Sequence, residues 1–240
     1  MSKPFLLLPA IDIFEGEVRR PIQGKISDEQ RFGSAEEVVK QFVSTGCRWI
    51  HIVDLDLAFG TGNNQELIAS IIRGFPAVSF QLSGGIADES TFYEATKAGA
   101  KRINLASQAL ANRAWLANAL SVSDHEISFA LDVFEDRVVA RGTKTDFGAL
   151  SEVLHFLAGT KVRVVSVTDV ERDGMLSGPN LDLLAEVSNQ LGFPVTNSGG
   201  IASLSDLEAL VSSEFCDGAI LGKALYTQSF SLEDAMRVVS

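Results

Sequence analysis

Short runs of β-branched and other apolar residues alternate, about eight times, with longer stretches whose apolar side chains recur every third or fourth position. The runs predict strands at 5–11, 48–53, 78–82, 102–106, 127–131, 163–168, 194–197 and 217–221. Between them, Ala35–Thr45, Gln65–Arg73, Leu181–Leu191 and Leu204–Val211 carry the amphipathic spacing of helices. Ser34 ahead of Glu36 and Glu37, and Ser203 ahead of Asp206, fit helix N-caps. Strand–helix alternation gives parallel strands with crossover helices. Eight such units predict a closed α/β barrel, the (β/α)8 or TIM barrel, rather than an open sheet. A chain of 240 residues suits one domain, 1–240, of that architecture.

The pattern also repeats itself. Gln81-Leu82-Ser83-Gly84-Gly85-Ile86-Ala87-Asp88 returns as Thr196-Asn197-Ser198-Gly199-Gly200-Ile201-Ala202-Ser203. Asp12-Ile13-Phe14-Glu15 returns as Asp132-Val133-Phe134-Glu135, and Val53-Asp54 as Thr168-Asp169. A period of this length marks a duplicated half-barrel, about 1–123 and 124–240, rather than a short-repeat solenoid. A ligand gripped from two opposite sides follows naturally.

Composition narrows the options. A net charge of −11 lacks the basic stripe a nucleic-acid surface needs, so local donors must hold any anionic substrate. No apolar run approaches the roughly 18 residues that span a bilayer. The apolar stretch after Lys3 stops at Pro9 and reads as a first strand, so a cytoplasmic protein without membrane partner is expected. Cys47 and Cys216 stand alone and read as buried small hydrophobes.

In a (β/α)8 barrel, chemistry gathers at the carboxyl ends of the strands. Asp12, Asp54, Ser83, Asp132, Asp169 and Ser198 all fall there. Ser-Gly-Gly after a strand lets backbone N–H groups approach an anion, with a following helix adding its positive end. Ser198, Gly199 and Gly200, with Gly222 and Lys223 on the next strand, therefore read as a phosphate grip. Ser83, Gly84 and Gly85 with Ala106 and Ser107 form the first-half counterpart. Internal alignment sets Ala106 opposite Gly222, so this turn has lost a glycine. It is either a second phosphate site or a tight turn left by the duplication.

Asp12 and Asp132 end opposite strands, an arrangement suited to paired general base and general acid work. Metal binding is the rival, but three scattered histidines offer no ligand cluster, and no metal is expected. Local capping of the next turn is the bland alternative for each aspartate. His51 reads as a hydrogen-bonded barrel residue; His125 and His155 read as surface positions. Arg20 and Arg141 follow the two aspartates and are either solvated loop charges or bidentate partners for a substrate carboxylate or phosphate. The long loop at about Ile13–Gly33 is expected to close over substrate.

With those residues in hand, the chain resembles the phosphoribosyl isomerase family of histidine biosynthesis (HisA), most closely its actinobacterial form, PriA, which also serves tryptophan synthesis. The carriers are Leu8-Pro9-Ala10-Ile11-Asp12, Gln23-Gly24-Lys25, His51-Ile52-Val53-Asp54-Leu55-Asp56, Ala58-Phe59-Gly60 and Leu82-Ser83-Gly84-Gly85-Ile86. In the second half they are the run from Asp173-Gly174 to Leu183-Leu184, and Gly222-Lys223-Ala224-Leu225-Tyr226. The resemblance spans almost the whole chain. It implies a cofactor-free Amadori rearrangement of an aminoaldose phosphate to an aminoketose, with Asp132 as general acid and Asp12 as general base. Arg20, Ser83, Arg141, Thr168 and Asp173 match positions that orient substrate.

Three departures bear on substrate. The family's Gly-Trp after strand five is Gly142-Thr143 here, removing stacking of about 1 kcal/mol plus apolar burial from the larger, bisphosphorylated histidine intermediate. Ala106-Ser107 replaces a Gly-Thr or Gly-Ser, and Pro21 follows Arg20. The expectation is a monomeric PriA-like isomerase narrowed toward phosphoribosylanthranilate. Dual or histidine-only substrate use is the alternative. A cyclase of the same barrel group (HisF) and a non-catalytic phosphosugar-binding barrel are the readings from other classes.

Overall fold

Strand pairing runs the whole way round the molecule. The computed structural model describes residues 5–19, 31–141 and 145–240, with strands β1 (Leu6–Phe14), β2 (Glu17–Val18), β3 (Trp49–Asp54), β4 (Ser79–Ser83), β5 (Arg102–Leu105) and β6 (Glu126–Phe134). There follow β7 (Arg137–Val139), β8 (Asp146–Ala149), β9 (Val165–Asp169), β10 (Val195–Ser198) and β11 (Cys216–Leu221). Parallel pairing takes the ring through β1, β3, β4, β5, β6, β9, β10 and β11 and back to β1. This is the expected (β/α)8 barrel, and each ring strand lies within three residues of its predicted span. The four predicted helices form as Ala35–Ser44, Gln65–Gly74, Leu181–Leu191 and Leu204–Val211. Ser34 and Ser203 cap theirs through reciprocal hydrogen bonds with Glu37 and Asp206.

Three short strands were not anticipated. β1 and β6 overrun the barrel and fold back as hairpins onto β2 and β7, with left-handed residues at Glu15 (φ 49°) and Glu135 (φ 55°). The loop expected at Ile13–Gly33 therefore begins and ends as a ribbon. Val18 donates its amide to Gly33 O, Phe32 donates to Val18 O, and Arg19 bridges Arg31. Arg20, Pro21 and Gln23-Gly24-Lys25 lie outside the described residues, as do Gly142 and Thr143.

Strand parity decides which side chains see the barrel axis. In β1, Leu7, Ile11 and Ile13 join the main core under the helices, whereas Leu8 and Ala10 pack with Ile220 and Trp49 inside the ring. Asp12 continues the inward series. Register then sets Ala10, His51, Gln81, Arg102 and Glu126 in one row. Gln81 bridges this row, its Nε2 lying 3.0 Å from His51 Nδ1 and its Oε1 accepting from Arg102 Nη1 at 3.0 Å. Arg102 Nε donates to Glu126 at 2.7 Å, and its guanidinium lies 4.6 Å from the centre of the Trp49 ring. A satisfied polar chain thus fills the end of the barrel remote from the mouth. His125 and His155 are exposed, and Cys47 and Cys216 are buried and free.

The same parity turns Asp54 and Asp169 away from the axis. Each carboxylate instead receives an asparagine from the loop that follows: Asn64 Nδ2 donates to Asp54 at 2.8 Å, and Asn180 Nδ2 to Asp169 at 2.7 Å. Asn64 Nδ2 also lies 2.7 Å from Asp56 Oδ2, and its Oδ1 accepts the amide of Gly16. This clasp ties the β1 hairpin to β3. Asn64→Ala removes one amide donor from each of two buried carboxylates and the acceptor of the Gly16 amide. It should cost about 2–4 kcal/mol in urea unfolding; an unchanged midpoint would disprove the clasp.

Candidate active site

Asp12 and Asp132 face each other across the mouth, with three ring strands between them on either side. Both are buried, at 6% and 5% exposure. Asp132 is held from several directions. Its amide donates to Ser107 Oγ at 3.2 Å, its Oδ2 lies 3.4 Å from that hydroxyl, and Thr168, its register partner on β9, also bonds its carboxyl. Arg141 Nε stands 3.0 Å from Asp132 Oδ1, and Arg141 Nη1 donates to Asp173 Oδ2 at 2.8 Å. One half-exposed guanidinium thus spans the mouth between two carboxylates.

Burial raises the Asp132 carboxyl above the ordinary carboxylate range, and Arg141 and the Thr168 and Ser107 hydroxyls only partly oppose it. Arg141 itself is raised, first by Asp132 and then by Asp173, with a contribution from Asp12. Asp12, Asp132, Asp173 and Arg141 therefore share one electrostatic environment. Among the described residues, no group of three or more His, Cys, Asp or Glu side chains could hold a metal ion.

On the second-half side, Asp173, Gly174, Gly199, Gly200, Gly222 and Lys223 line one cavity. Lys223 Nζ donates to Gly174 O at 2.7 Å across it. The glycines serve packing as well as access. A Cβ on Gly199 (φ 92°) would lie 2.8 Å from Asp173 Oδ1, and one on Gly200 (φ 82°) 2.6 Å from Gly178 O. Ser198 lines a neighbouring cavity with Asp169, Arg172 and Asn197.

The first-half turn has the same glycine geometry. A Cβ on Gly84 (φ 99°) would meet Asp54 O at 2.3 Å, and one on Gly85 (φ 67°) would meet the Leu57 carbonyl at 2.6 Å. Ser83 is buried and accepts from Asn104 Nδ2. The other two residues expected in this grip make hydrogen bonds of their own within the barrel. Ala106 has the negative φ (−75°) required to keep its backbone regular, yet its amide is already donated to Ile86 O at 2.8 Å. Ser107 is fully buried and gives its hydroxyl to Ala130 O at 2.8 Å. The Ser107 hydroxyl is thus engaged within the protein, which leaves its backbone amide as the group that could serve a phosphate. Where β5 ends, a 3-10 turn over Ser107–Asn112 tucks this hydroxyl against β6 and under Asp132. Its internal counterpart Lys223 extends into the second-half cavity instead. Sequence alignment of the halves equated the two positions but carried no information on side-chain direction.

A (β/α)8 barrel with opposed buried carboxylates at its carboxyl-end mouth has the form of a small-molecule enzyme. A sequence profile described as histidine biosynthesis protein matches residues 6–231, and the chain belongs to that family. It is 42% identical to phosphoribosyl isomerase A of Mycobacterium ulcerans, over 98% of this chain and 99% of that one. It is 40% identical to 1-(5-phosphoribosyl)-5-((5-phosphoribosylamino)methylideneamino) imidazole-4-carboxamide isomerase of Bifidobacterium adolescentis, over 97% and 98%. The resemblance drawn from motifs is thereby established, and the chain is an isomerase.

The raised Asp132 carboxyl has a stability consequence. The unfolded chain releases this proton at lower pH than the folded one, so Asp132 opposes folding increasingly as pH rises from its ordinary value through its raised one. Asp132→Asn should therefore raise Tm at pH 7 relative to the unaltered protein, with the gain vanishing below about pH 4. A lower Tm at pH 7 that disappears below about pH 4 would show that Arg141 outweighs burial.

Proposed function

We propose that this isomerase performs an Amadori rearrangement, converting an N-glycosyl phosphoribosylamine to the corresponding 1-amino-1-deoxyketose phosphate. The observation that carries the reading is Asp132, a buried carboxyl held above its ordinary range, directly across the mouth from Asp12. Asp132 protonates the ribose ring oxygen, the C1–O bond breaks, and the nitrogen lone pair forms a C1 iminium. Asp12 then removes the C2 proton, giving an enolamine whose tautomerisation yields the C2 ketone. The redox change is internal to the sugar, so no cofactor is needed.

Thr168, Asp173, Ser83 and Arg141, with Arg20 from the loop, orient the substrate in this scheme. The phosphate is held at the second-half turn by Gly199, Gly200, Gly222 and Lys223, with Ser198 alongside. The partner is a phosphoribosyl metabolite and the chain acts as a monomer in the cytoplasm.

For the substrate, we favour phosphoribosylanthranilate. Arg141 already bridges two carboxylates across the mouth, and an anthranilate carboxylate offers it an equivalent anionic partner. The committed Ala106 amide and Ser107 hydroxyl leave Gly84, Gly85 and the Ser107 amide to hold any second phosphate, which disfavours a bisphosphorylated ligand. The name of the Bifidobacterium relative favours the second reading, the histidine-pathway intermediate. Relatives named as isomerases lend no support to a cyclase.

Steady-state kinetics on both purified substrates separate these readings. Turnover of phosphoribosylanthranilate alone is expected, with Thr143→Trp gaining the histidine-pathway reaction; comparable kcat/KM on both would end the narrowing hypothesis. Asp12→Asn should lower kcat by at least about 1,000-fold while product-analogue binding changes less than about threefold.

A further inference from the structure

Resting on the acid role just proposed for Asp132, the geometry points to the Ser107 hydroxyl as a positioning group for that acid. Ser107 Oγ makes three contacts, with no exposed surface: it donates to Ala130 O at 2.8 Å, accepts the Asp132 amide at 3.2 Å and lies 3.4 Å from Asp132 Oδ2. One hydroxyl proton therefore faces two acceptors, the Ala130 carbonyl and the Asp132 carboxylate.

That competition resolves according to the protonation state of the acid. When Asp132 carries its proton on Oδ1, facing the mouth, the Ser107 proton stays on Ala130 O and Ser107 Oγ holds the acid through the Asp132 amide. When Asp132 has given its proton away, the Ser107 O–H rotates toward Oδ2 and supports the carboxylate. The carboxyl keeps one orientation through the cycle, with Oδ2 against Ser107 and Oδ1 toward the mouth, where Arg141 Nε stands 3.0 Å away. Thr168 supports the same carboxyl from β9 but leaves the β5 side to Ser107 alone among the bonds given to Asp132. The hydroxyl is supplied from a different half-barrel strand connection than the acid it serves, so it also fixes β6 against the turn after β5.

Ser107→Ala removes both modes. The expected result is a fall in kcat of about tenfold, the equivalent of one ordinary hydrogen bond, with KM changed by less than about twofold. The carboxyl resonance of Asp132, followed by carbon NMR in the ligand-free protein, should titrate at higher pH in the variant, because a donor to the ionised form is gone. Ser107→Thr, which keeps the hydroxyl, should recover most of the lost kcat and return the titration toward its original position. If Ser107→Ala does not fold, Ser107→Cys, nearly isosteric and a poor donor, carries the same expectations. A raised KM with unchanged kcat and an unmoved Asp132 titration would overturn the inference and return Ser107 to the phosphate grip. Unchanged kcat and KM would overturn it as well. Full turnover by Asp132→Asn would instead refute the acid role itself, whatever Ser107→Ala does to the NMR titration.

Discussion

The two seams where the half-barrels meet, β5 against β6 and β11 against β1, constrain everything at the mouth. Parallel pairing there fixes register, and register fixes parity, so that Asp12 and Asp132 point inward while Asp54 and Asp169 point out. A slip of one residue in β1 or β6 would turn Asp12 or Asp132 from the mouth into the helical layer. The buried row from His51 through Gln81 and Arg102 to Glu126 crosses the β5–β6 seam and links strands of both halves by side-chain bonds. Closure and chemistry thus share one structural cause.

Much of this was legible from residues alone. Eight apolar runs of strand length with helical spacing between them gave the barrel, and the repeated Asp12/Asp132 and Ser83/Ser198 segments gave its twofold plan. The hairpins were missed because β2, β7 and β8 are two to four residues long, too short for alternation to register. The asparagine clasps were missed for a different reason. Asn64 and Asn180 look like ordinary loop and cap residues until the strand-end aspartates are known to face outward. Ser107 was placed with the phosphate turn because internal alignment sets it opposite Lys223. Only the path of the chain after β5 shows that its hydroxyl belongs to β6.

The two copies of the half-barrel have kept their scaffolding and diverged in their chemistry. Both Gly-Gly turns press against the loop of the preceding unit so closely that a Cβ would collide with backbone or with Asp173. Those glycines are required by packing whether or not an anion is bound. The following turns have diverged. One carries Gly222 and Lys223 at the cavity, the other Ala106, with its amide on Ile86, and Ser107 under the acid. One side of the mouth keeps a cation at its cavity, while the other has turned its group toward the protein's own carboxylate.

Tyr226 adds a mechanical link. Its hydroxyl donates to Ala10 O on β1, and its ring lies 4.6 Å from that of Phe32, at the returning end of the ribbon after β1. Lys223 sits one helical turn before Tyr226. The anion-facing turn, the strand that carries Asp12 and the root of the long loop are therefore joined as a lever with its fulcrum on β1. Lys223, the strand of Asp12 and Phe32 thus share one support, which runs behind the cavity rather than through it.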